Sequence, residues 1–266
     1  MARSALLNVM VQAALKAGKS LSRDFGEVQN LQVSLKGPGD YVSQADRRSE
    51  KIVREELLKA RPTYGFLGEE SEEIKGTDGA HRWIVDPLDG TTNFLHGIPL
   101  FGISIALQRS GEIVAGVVYN PATDELYTAE KGGGAFVNDR RLRVSARRNL
   151  SDSVIGCGVP HLGRGQHGRF LVQLRHVMGE VAGIRRMGAA SIDLAYVAAG
   201  RFDGFWEEYL SPWDVAAGVI LIKEAGGFVS DMKGGGDFIE GGAIVAGNEH
   251  IHKALVEAAN RPIPKA

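Results

Sequence analysis

The sequence predicts an α+β protein in which layers of sheet and helix form a sandwich. Short apolar segments separated by tight turns fill residues 82–129, which is typical of an antiparallel meander. Strand and helix patterns then alternate from residue 153 onwards, as in sheets that are covered by helices. We therefore expect one domain over residues 1–266, built from two packed subdomains of about residues 1–150 and 151–266.

The first half begins with helices. Apolar residues recur at helical spacing over residues 4–24 and 44–60, so both segments predict amphipathic helices. Between them, Lys36-Gly37-Pro38-Gly39 predicts a loop. A short strand from Tyr64 to Leu67 precedes the meander, whose strands are predicted at residues 82–86, 102–108, 112–119 and 124–129.

The second half consists of shorter elements bounded by turn residues. Pro212 begins an apolar helical segment that ends at Gly226-Gly227, as helix signals require. Strands are predicted near residues 153–157, 182–186, 202–206, 227–231 and 242–246, and helices near 167–179, 190–199, 213–225 and 249–259.

Composition excludes several classes of protein. Hydrophobic residues make up 44%, charged residues 24%, and the formal net charge is −1, so no overall charge favours nucleic acid or an anionic membrane. No run of residues approaches the roughly 18 apolar residues of a membrane span. Cys157 is the single cysteine, which excludes an internal disulfide and fits a reducing compartment. We expect a cytoplasmic protein in which Cys157 is a buried, inert thiol.

The most informative segment is Asp86-Pro87-Leu88-Asp89-Gly90-Thr91-Thr92-Asn93, which follows the apolar run Trp83-Ile84-Val85. Two carboxylates three positions apart, at the end of a buried strand, repel each other, and a bound cation keeps both ionised. Mg²⁺ takes carboxylate oxygens together with water and phosphate oxygens. The segment predicts a metal-assisted phosphate site; the alternative is an ordinary strand-ending turn.

Four further acidic residues stand where side chains can converge on a cleft. Glu69 and Glu70 follow a predicted strand, Asp46 lies in the first turn of a helix, and Asp214 begins another helix. Taken singly, each also has a structural explanation, as part of a solvated loop or as a first-turn acid. Their shared position at strand ends and helix starts favours a common site.

Three blocks of the sequence resemble the signatures of the inositol monophosphatases, which are Mg²⁺-dependent, lithium-sensitive phosphatases. The resemblance extends from about residue 5 to residue 258 and includes Lys36, Ala45-Asp46 and Arg186-Met187-Gly188-Ala189-Ala190 in the expected order. The three blocks are Gly68-Glu69-Glu70-Ser71, the segment from Trp83 to Phe94, and Trp213-Asp214-Val215-Ala216-Ala217-Gly218.

The resemblance implies a layered αβαβα sandwich and a cytoplasmic homodimeric hydrolase of the bacterial type. The implied reaction converts myo-inositol 1-phosphate into myo-inositol and phosphate, with two or three Mg²⁺ ions per site, inhibition by Li⁺ and no covalent intermediate. Glu69, Asp86 and the backbone carbonyl of Leu88 would bind one Mg²⁺. Asp86, Asp89 and Asp214 would bind a second, so that Asp86 bridges the two ions.

The resemblance also implies catalytic and substrate-binding roles. Thr91 and Asp46 would orient and deprotonate the attacking water, and Glu70 would lie behind the metal ligands, near a third ion or a water. The implied substrate contacts are Gly90 and Thr91 to the phosphate, Gly188, Ala189 and Glu207 to the polyol hydroxyls, and Asp214 near the leaving oxygen.

The adjacent acids Glu207 and Glu208 bear on the substrate. They favour a neutral, hydroxyl-rich leaving group over one with a second phosphate, because an anion would be repelled. Histidinol phosphate, whose amine and imidazole are cationic, tolerates these acids and is the alternative substrate. The sequence does not rank glycerol 2-phosphate against inositol 1-phosphate.

Other classes of function match the sequence less well. The acids Asp86 and Asp89 are three positions apart, which breaks the Asp-x-Asp-x-Thr pattern of haloacid-dehalogenase phosphatases. Lys131-Gly132-Gly133-Gly134 lacks the rest of a nucleotide-binding loop and predicts a turn between strands. His161 and His167 flank a glycine-rich loop, either solvated or at the mouth of the site. The alternation Arg141-Leu142-Arg143-Val144 predicts an edge strand. The alternative, suggested by the arginines at positions 140, 141, 143, 147 and 148, is additional binding to RNA or the transcription machinery.

The homodimer that the resemblance implies needs a self-complementary surface. Leu100-Phe101 and the apolar strands beyond it are predicted to offer one. Arg175, Arg185 and Arg186 are candidates for pairing across it. We expect each active site to be complete within one chain.

Overall fold

Layers of helix and sheet alternate in this protein. The computed structural model describes residues 3–27, 33–37 and 40–262. Within them the helices are α1 (Ala5–Phe25), α2 (Gln44–Ala60), α3 (Thr91–Leu95), α4 (His167–Met178), α5 (Ala190–Ala198), α6 (Pro212–Glu224) and α7 (Glu249–Ala259). The strands are β1 (Val33–Gly37), β2 (Asp40–Ser43), β3 (Gly65–Gly68), β4 (His81–Asp89), β5 (Gly102–Arg109), β6 (Glu112–Asn120), β7 (Glu125–Glu130), β8 (Gly134–Val137), β9 (Arg140–Arg141), β10 (Val154–Cys157), β11 (Gly183–Arg185), β12 (Gly204–Glu208), β13 (Phe228–Ser230) and β14 (Ala243–Gly247).

The large sheet consists of β3 to β9 in chain order. β3 runs parallel to β4, and the pairs from β4–β5 to β8–β9 are antiparallel. The predicted meander is therefore confirmed and continues into β8, which the sequence analysis did not place. Lys131-Gly132-Gly133 joins β7 to β8, with Gly132 at φ 77°, so the predicted glycine turn is also confirmed. An edge strand is present here, but it consists of Arg140 and Arg141, and the predicted segment from Leu142 to Val144 lies outside it.

The small sheet has the strand order β11-β10-β12-β14-β13. β10 runs parallel to both β11 and β12, and β14 runs antiparallel to β12 and β13. The remaining pair, β1 and β2, forms a separate antiparallel hairpin.

Alternating side chains of each sheet enter different cores. In β4, Trp83 and Val85 pack with α1 and α2, whereas Ile84 packs with α5 and α6. In β12, Phe205 enters the core between the sheets and Trp206 enters the core with α4 and α7. The order of layers is therefore α1 and α2, large sheet, α5 and α6, small sheet, α4 and α7. The predicted αβαβα sandwich is confirmed.

The two central helices are apolar around most of their circumference because a sheet covers each side. The α6 segment from Val215 to Ile222 is buried throughout. Since α5 and α6 belong to the second half of the sequence but pack on both sheets, the division into subdomains near residue 150 stays a prediction.

Three expectations from the sequence need comment. Lys36 and Gly37 belong to β1 rather than to a loop, whereas residues 38–39 lie outside the described part. Cys157 is buried as expected, and its burial raises the pKa of the thiol to about 12. Among the described residues, no helix is long and apolar enough to cross a membrane.

Phe101 cannot contribute to the dimer surface predicted at Leu100-Phe101, whereas Leu100 is half-buried. Phe101 is fully buried, with its ring 4.9 Å from the ring of Phe25 and 5.0 Å from that of Phe94. The apolar strand that follows is buried as well, because both faces of the large sheet are covered. Arg175 and Arg185 are exposed, and their pairing across an interface stays a prediction.

Gly116 provides a test of how closely α6 packs on the large sheet. A Cβ atom there would lie 2.5 Å from Ile220 Cγ2 and 2.9 Å from the carbonyl oxygen of Ala217. Gly116→Ala should therefore lower the free energy of unfolding by about 1–3 kcal/mol, as measured by the denaturant midpoint. Gly168→Ala, in α4, is the control, because its Cβ would meet nothing within 4 Å. Equal midpoints for Gly116→Ala and wild type would contradict this packing.

Candidate active site

A bulge in β4 places the two central carboxylates. Asp86 pairs with Ser104 of β5, but the next paired residue, Asp89, faces Gly102. Three steps along β4 thus match two along β5, so β4 contains one extra residue. Residues three apart in a regular strand point to opposite faces, whereas here both Asp86 and Asp89 line one cavity. The sequence analysis ended this strand in a turn; the structure shows that it continues, bulged, to Asp89.

Hydrogen bonds hold the bulge in shape. The backbone N–H of Leu88 donates to Asp86 Oδ1 at 2.9 Å. Pro87 has no N–H to pair, and its carbonyl oxygen accepts a 2.7 Å hydrogen bond from Ser49 Oγ of α2. The bulge interrupts the backbone hydrogen bonds between β4 and β5. The hydrogen bonds to Asp86 and Ser49 instead pair some of the buried backbone groups of the bulge.

A left-handed glycine turns the chain from β4 into α3. Gly90 has φ 87°, and a Cβ there would lie 3.0 Å from the carbonyl oxygen of Leu100. Thr91 follows at the start of α3, with its Oγ1 2.9 Å from Asp46 Oδ1 and 3.1 Å from the carbonyl oxygen of Leu88. Because a hydroxyl has one proton and a carboxylate is the stronger acceptor, we assign Thr91 as a donor to Asp46.

Two more carboxylates are positioned by backbone N–H groups near helix starts. Asp89 Oδ2 accepts from the N–H of Ser191, in the first turn of α5, at 2.7 Å. Asp214 Oδ2 accepts from the N–H of Ser211 at 2.7 Å and completes a capping box at the start of α6. The central helix layer thus orients carboxylates on both sides of the cavity.

The acidic loop after β3 is anchored to α2. The N–H of Glu70 donates to Glu50 Oε2 at 2.7 Å. A side chain at Gly68 would overlap the Glu50 carboxyl group, so glycine is required for this approach. Glu69 is thereby placed at the cavity wall.

All but two of the predicted site residues line one cavity of about 310 Å³. Asp46 and Glu70 are the exceptions: Asp46 is fully buried behind Thr91, and Glu70 lies beside Glu50. His161 also lines the cavity, whereas His167 does not. The predicted residues that line it are Glu69, Asp86, Leu88, Asp89, Gly90, Thr91, Gly188, Ala189, Glu207 and Asp214.

The cavity is strongly unfavourable for negative charge in the absence of a cation. Burial, followed by the charges of Glu69, Asp89 and Asp214, raises the pKa of Asp86 well above its ordinary value. Burial also raises the pKa of Asp89 to about 6 and that of Asp214 to about 7, with mutual repulsion adding to the latter. Four acids concentrated around one cavity therefore require protons or cations.

The sequence model of the inositol monophosphatase family matches residues 2–263. The chain belongs to the inositol monophosphatase family. It is therefore a phosphatase, as the sequence predicted.

Relatives of this inositol monophosphatase family member match it along their whole length. An inositol-1-monophosphatase of Rhizobium meliloti (strain 1021) is 79% identical over 264 residues, which cover 99% of each chain. A Nus factor SuhB of Pseudomonas aeruginosa is 45% identical over 263 residues, covering 97% of each chain. The crystal structure of the extragenic suppressor protein SuhB from Bartonella henselae has a TM-score of 0.96 at 66% identity, covering 98% of this chain and 100% of that one.

The donor set fits the divalent cation that this family implies, although the side chains do not form a closed cage. Among the described residues, no three His, Cys, Asp or Glu side chains converge as a ready site for one ion. The cavity nevertheless collects oxygen donors, which Mg²⁺ prefers. In each of Asp86, Asp89 and Asp214, one carboxylate oxygen accepts a hydrogen bond from a backbone N–H group. The second oxygen of each carboxylate takes no part in that bond. Their mutual repulsion is what a cation would relieve.

Several site residues of this phosphatase were missed by sequence reasoning. Glu50 holds the acidic loop, and its position four residues after Asp46, on the same helix face, is a signal that could have found it. Arg164 and Asp193 also line the cavity, but nothing local in the sequence distinguishes them from other charged residues. Arg186 lines it too; the sequence analysis placed it in a block that resembles the family but proposed it only for pairing across a dimer interface.

The raised carboxylate pKa values predict how stability depends on pH. Asp89 and Asp214 ionise near pH 4 in the unfolded chain but near pH 6 and 7 in the folded one, so ionisation destabilises the fold as pH rises through this window. In EDTA, the melting temperature should therefore fall through these groups as pH rises from about 4 to about 7, and their effect should be complete by pH 8. Mg²⁺ should raise it more at pH 8, where the ligands are ionised.

Asp214→Asn is the matched variant, because an amide oxygen can still accept from Ser211. It should be more stable than wild type in EDTA at pH 8 and gain less from Mg²⁺. The difference between variant and wild type isolates this effect from His252, whose pKa burial lowers and which therefore acts in the opposite direction. A difference that does not change with pH would contradict the assignment.

Proposed function

We propose that this protein hydrolyses phosphate monoesters of small polyols, with myo-inositol 1-phosphate as its preferred substrate. The observation that carries the proposal is the single cavity that Asp86, Asp89, Asp214, Thr91 and Glu207 all line. It combines oxygen ligands for a cation, a hydroxyl linked to a buried carboxylate, and polar groups for a leaving alcohol.

The first requirement of the reaction is neutralisation of charge. Two Mg²⁺ ions held by Glu69, Asp86, the Leu88 carbonyl, Asp89 and Asp214 would offset the charge of the phosphate and stabilise the leaving alkoxide. The protein contributes the alignment of these oxygens, because backbone N–H groups of α5, α6 and the β4 bulge orient them before substrate binds.

The second requirement is removal of a proton from the attacking water. Thr91 Oγ1 donates to the buried Asp46 carboxylate, so a lone pair of the hydroxyl oxygen can accept a proton from water. As Oγ1 accepts this proton, the hydroxyl would pass its own proton to the Asp46 carboxylate, which leaves Thr91 neutral and the water as hydroxide. No covalent nucleophile is needed, and Cys157, with its raised pKa, is not suited to be one.

The third requirement is recognition of the leaving group. Glu207 projects from β12 into the cavity, and a side chain at Gly158 would overlap its carboxyl group. Gly188, at φ 87°, and Ala189 directly precede α5 and line the same cavity. We propose that these three residues contact polyol hydroxyls, while Gly90 and Thr91 offer N–H groups to the phosphate.

Further proposals concern inhibition, location and oligomeric state. Li⁺ would inhibit by occupying the site formed by Asp89 and Asp214 after turnover. The protein would act in the cytoplasm as a homodimer in which each site is complete within one chain. Additional binding to the transcription machinery is supported only by relatives named Nus factor SuhB, and we do not propose it as the main function.

A substrate panel tests the proposed function. With Mg²⁺, phosphate release should be fastest from inositol 1-phosphate, slower from glycerol 2-phosphate, and slowest from histidinol phosphate.

EDTA should abolish the activity and Mg²⁺ restore it, because no side chain here replaces the cation's charge. Asp86→Asn, which removes charge shared by both proposed metal sites, should remain folded and inactive. Full activity in EDTA, or a preference for histidinol phosphate, would show that the proposal is wrong.

The Thr91–Asp46 pair gives a separate prediction about the proton transfer. Thr91→Val keeps the shape of the side chain and removes its hydroxyl, so kcat should fall by about 10²–10⁴-fold. The rise in melting temperature with Mg²⁺ should be retained, since Oγ1 is not among the proposed metal ligands. Thr91→Ser should recover most of the rate. A Val variant with wild-type kcat would exclude the proposed role.

A further inference from the structure

Asp193 is a buried carboxylate that lines the active-site cavity, and it has no role in the proposed hydrolysis. It lies in the first turn of α5, and its backbone N–H donates to the carbonyl of Ala189 at 3.0 Å. Its side chain lines the same cavity as Glu207 and is only 1% exposed. Oδ1 of this side chain has no hydrogen-bond partner among the described residues.

This lack of a partner is unlike the situation of other buried aspartates. Asp203 accepts from the N–H of Val154 at 2.8 Å and pairs with Arg147 at 3.2 Å. Asp24 accepts two hydrogen bonds from Arg48, at 2.7 and 2.9 Å. Those carboxylates are explained by the contacts they make within the fold. A buried polar atom without such a contact is costly, and one that faces a binding cavity is explained by a ligand.

The surroundings of Asp193 indicate what kind of ligand group it accepts. Burial, and then the nearby charge of Glu207, raise the pKa of Asp193, whereas Arg186 lowers it. Arg164 and Arg186 line the same cavity and also lower the pKa of Glu207. The protein therefore already supplies some positive charge beside these acids, so a leaving group does not have to supply it. Hydroxyl groups, which donate hydrogen bonds without adding charge, fit better.

We propose that Asp193 is a second hydroxyl-binding carboxylate which, together with Glu207, makes the enzyme selective for leaving groups with several hydroxyls. The inference rests on the proposed polyol phosphatase function. Ala189, one helical turn before Asp193, belongs to the same wall of the cavity. A cyclitol ring placed against this wall meets acceptors from β12 and from α5 at the same time.

The test compares two substrates that share a six-membered ring and differ in hydroxyls: inositol 1-phosphate and cyclohexyl phosphate. For Asp193→Leu and Asp193→Ala, the ratio of their kcat/KM values should fall by about 10- to 100-fold relative to wild type, mostly through the KM for inositol 1-phosphate. Asp193→Asn, which keeps an acceptor at Oδ1, should retain most of the wild-type ratio. Leucine fills the volume of the aspartate side chain and alanine truncates it, so the outcome does not depend on one of the two variants folding.

Asp203→Asn is the matched control, because it alters a buried aspartate that does not line the cavity. It should change kcat/KM for both substrates by the same factor, whatever its effect on melting temperature. If Asp193→Leu and Asp193→Ala keep the wild-type ratio, or if neither folds, Asp193 is structural and the inference is wrong. A wild-type enzyme without preference for inositol 1-phosphate would instead refute the polyol phosphatase function on which the inference rests.

Discussion

The mutual repulsion of buried carboxylates is the constraint on which this structure depends. Asp86, Asp89 and Asp214 are each held by a backbone N–H group, so they cannot turn away from one another at low cost. The fold therefore maintains an arrangement that is unfavourable until protons or cations neutralise it. Such strain at a functional site is compensated by the packing of the surrounding layers.

The packing of the central helices α5 and α6 fixes the positions of two of these carboxylates. Because α5 and α6 are enclosed between two sheets, small residues set how closely they approach. Because Gly116 of β6 has no side chain, Ala217 and Ile220 of α6 can pack directly against its backbone. Gly218 of α6 lies equally close to α5, since a Cβ there would lie 2.5 Å from Leu194 Cβ. The starts of both helices, which orient Asp89 and Asp214, are thereby located relative to β4 by core packing.

The same layer joins the chemistry to the recognition of substrate. Ser191 orients Asp89, and Asp193, two residues later, lines the part of the cavity near Glu207. The β4 bulge approaches from the large sheet and Glu207 from the small sheet. A leaving group bound between them, as proposed, would contact both halves of the chain, so the proposed site belongs to neither half alone.

The sequence by itself determined the fold class, most helix and strand positions, and the acids of the site, because periodicity and the Asp86–Asn93 segment are local signals. It placed the boundaries of α2 at residues 44–60, as observed. Only the tertiary structure decided that β4 continues through a bulge, that Phe101 is buried, and that Glu50, Arg164 and Asp193 belong to the site. Those features depend on which strands pair and which helices cover them, and such contacts between distant residues leave no periodic trace in the chain.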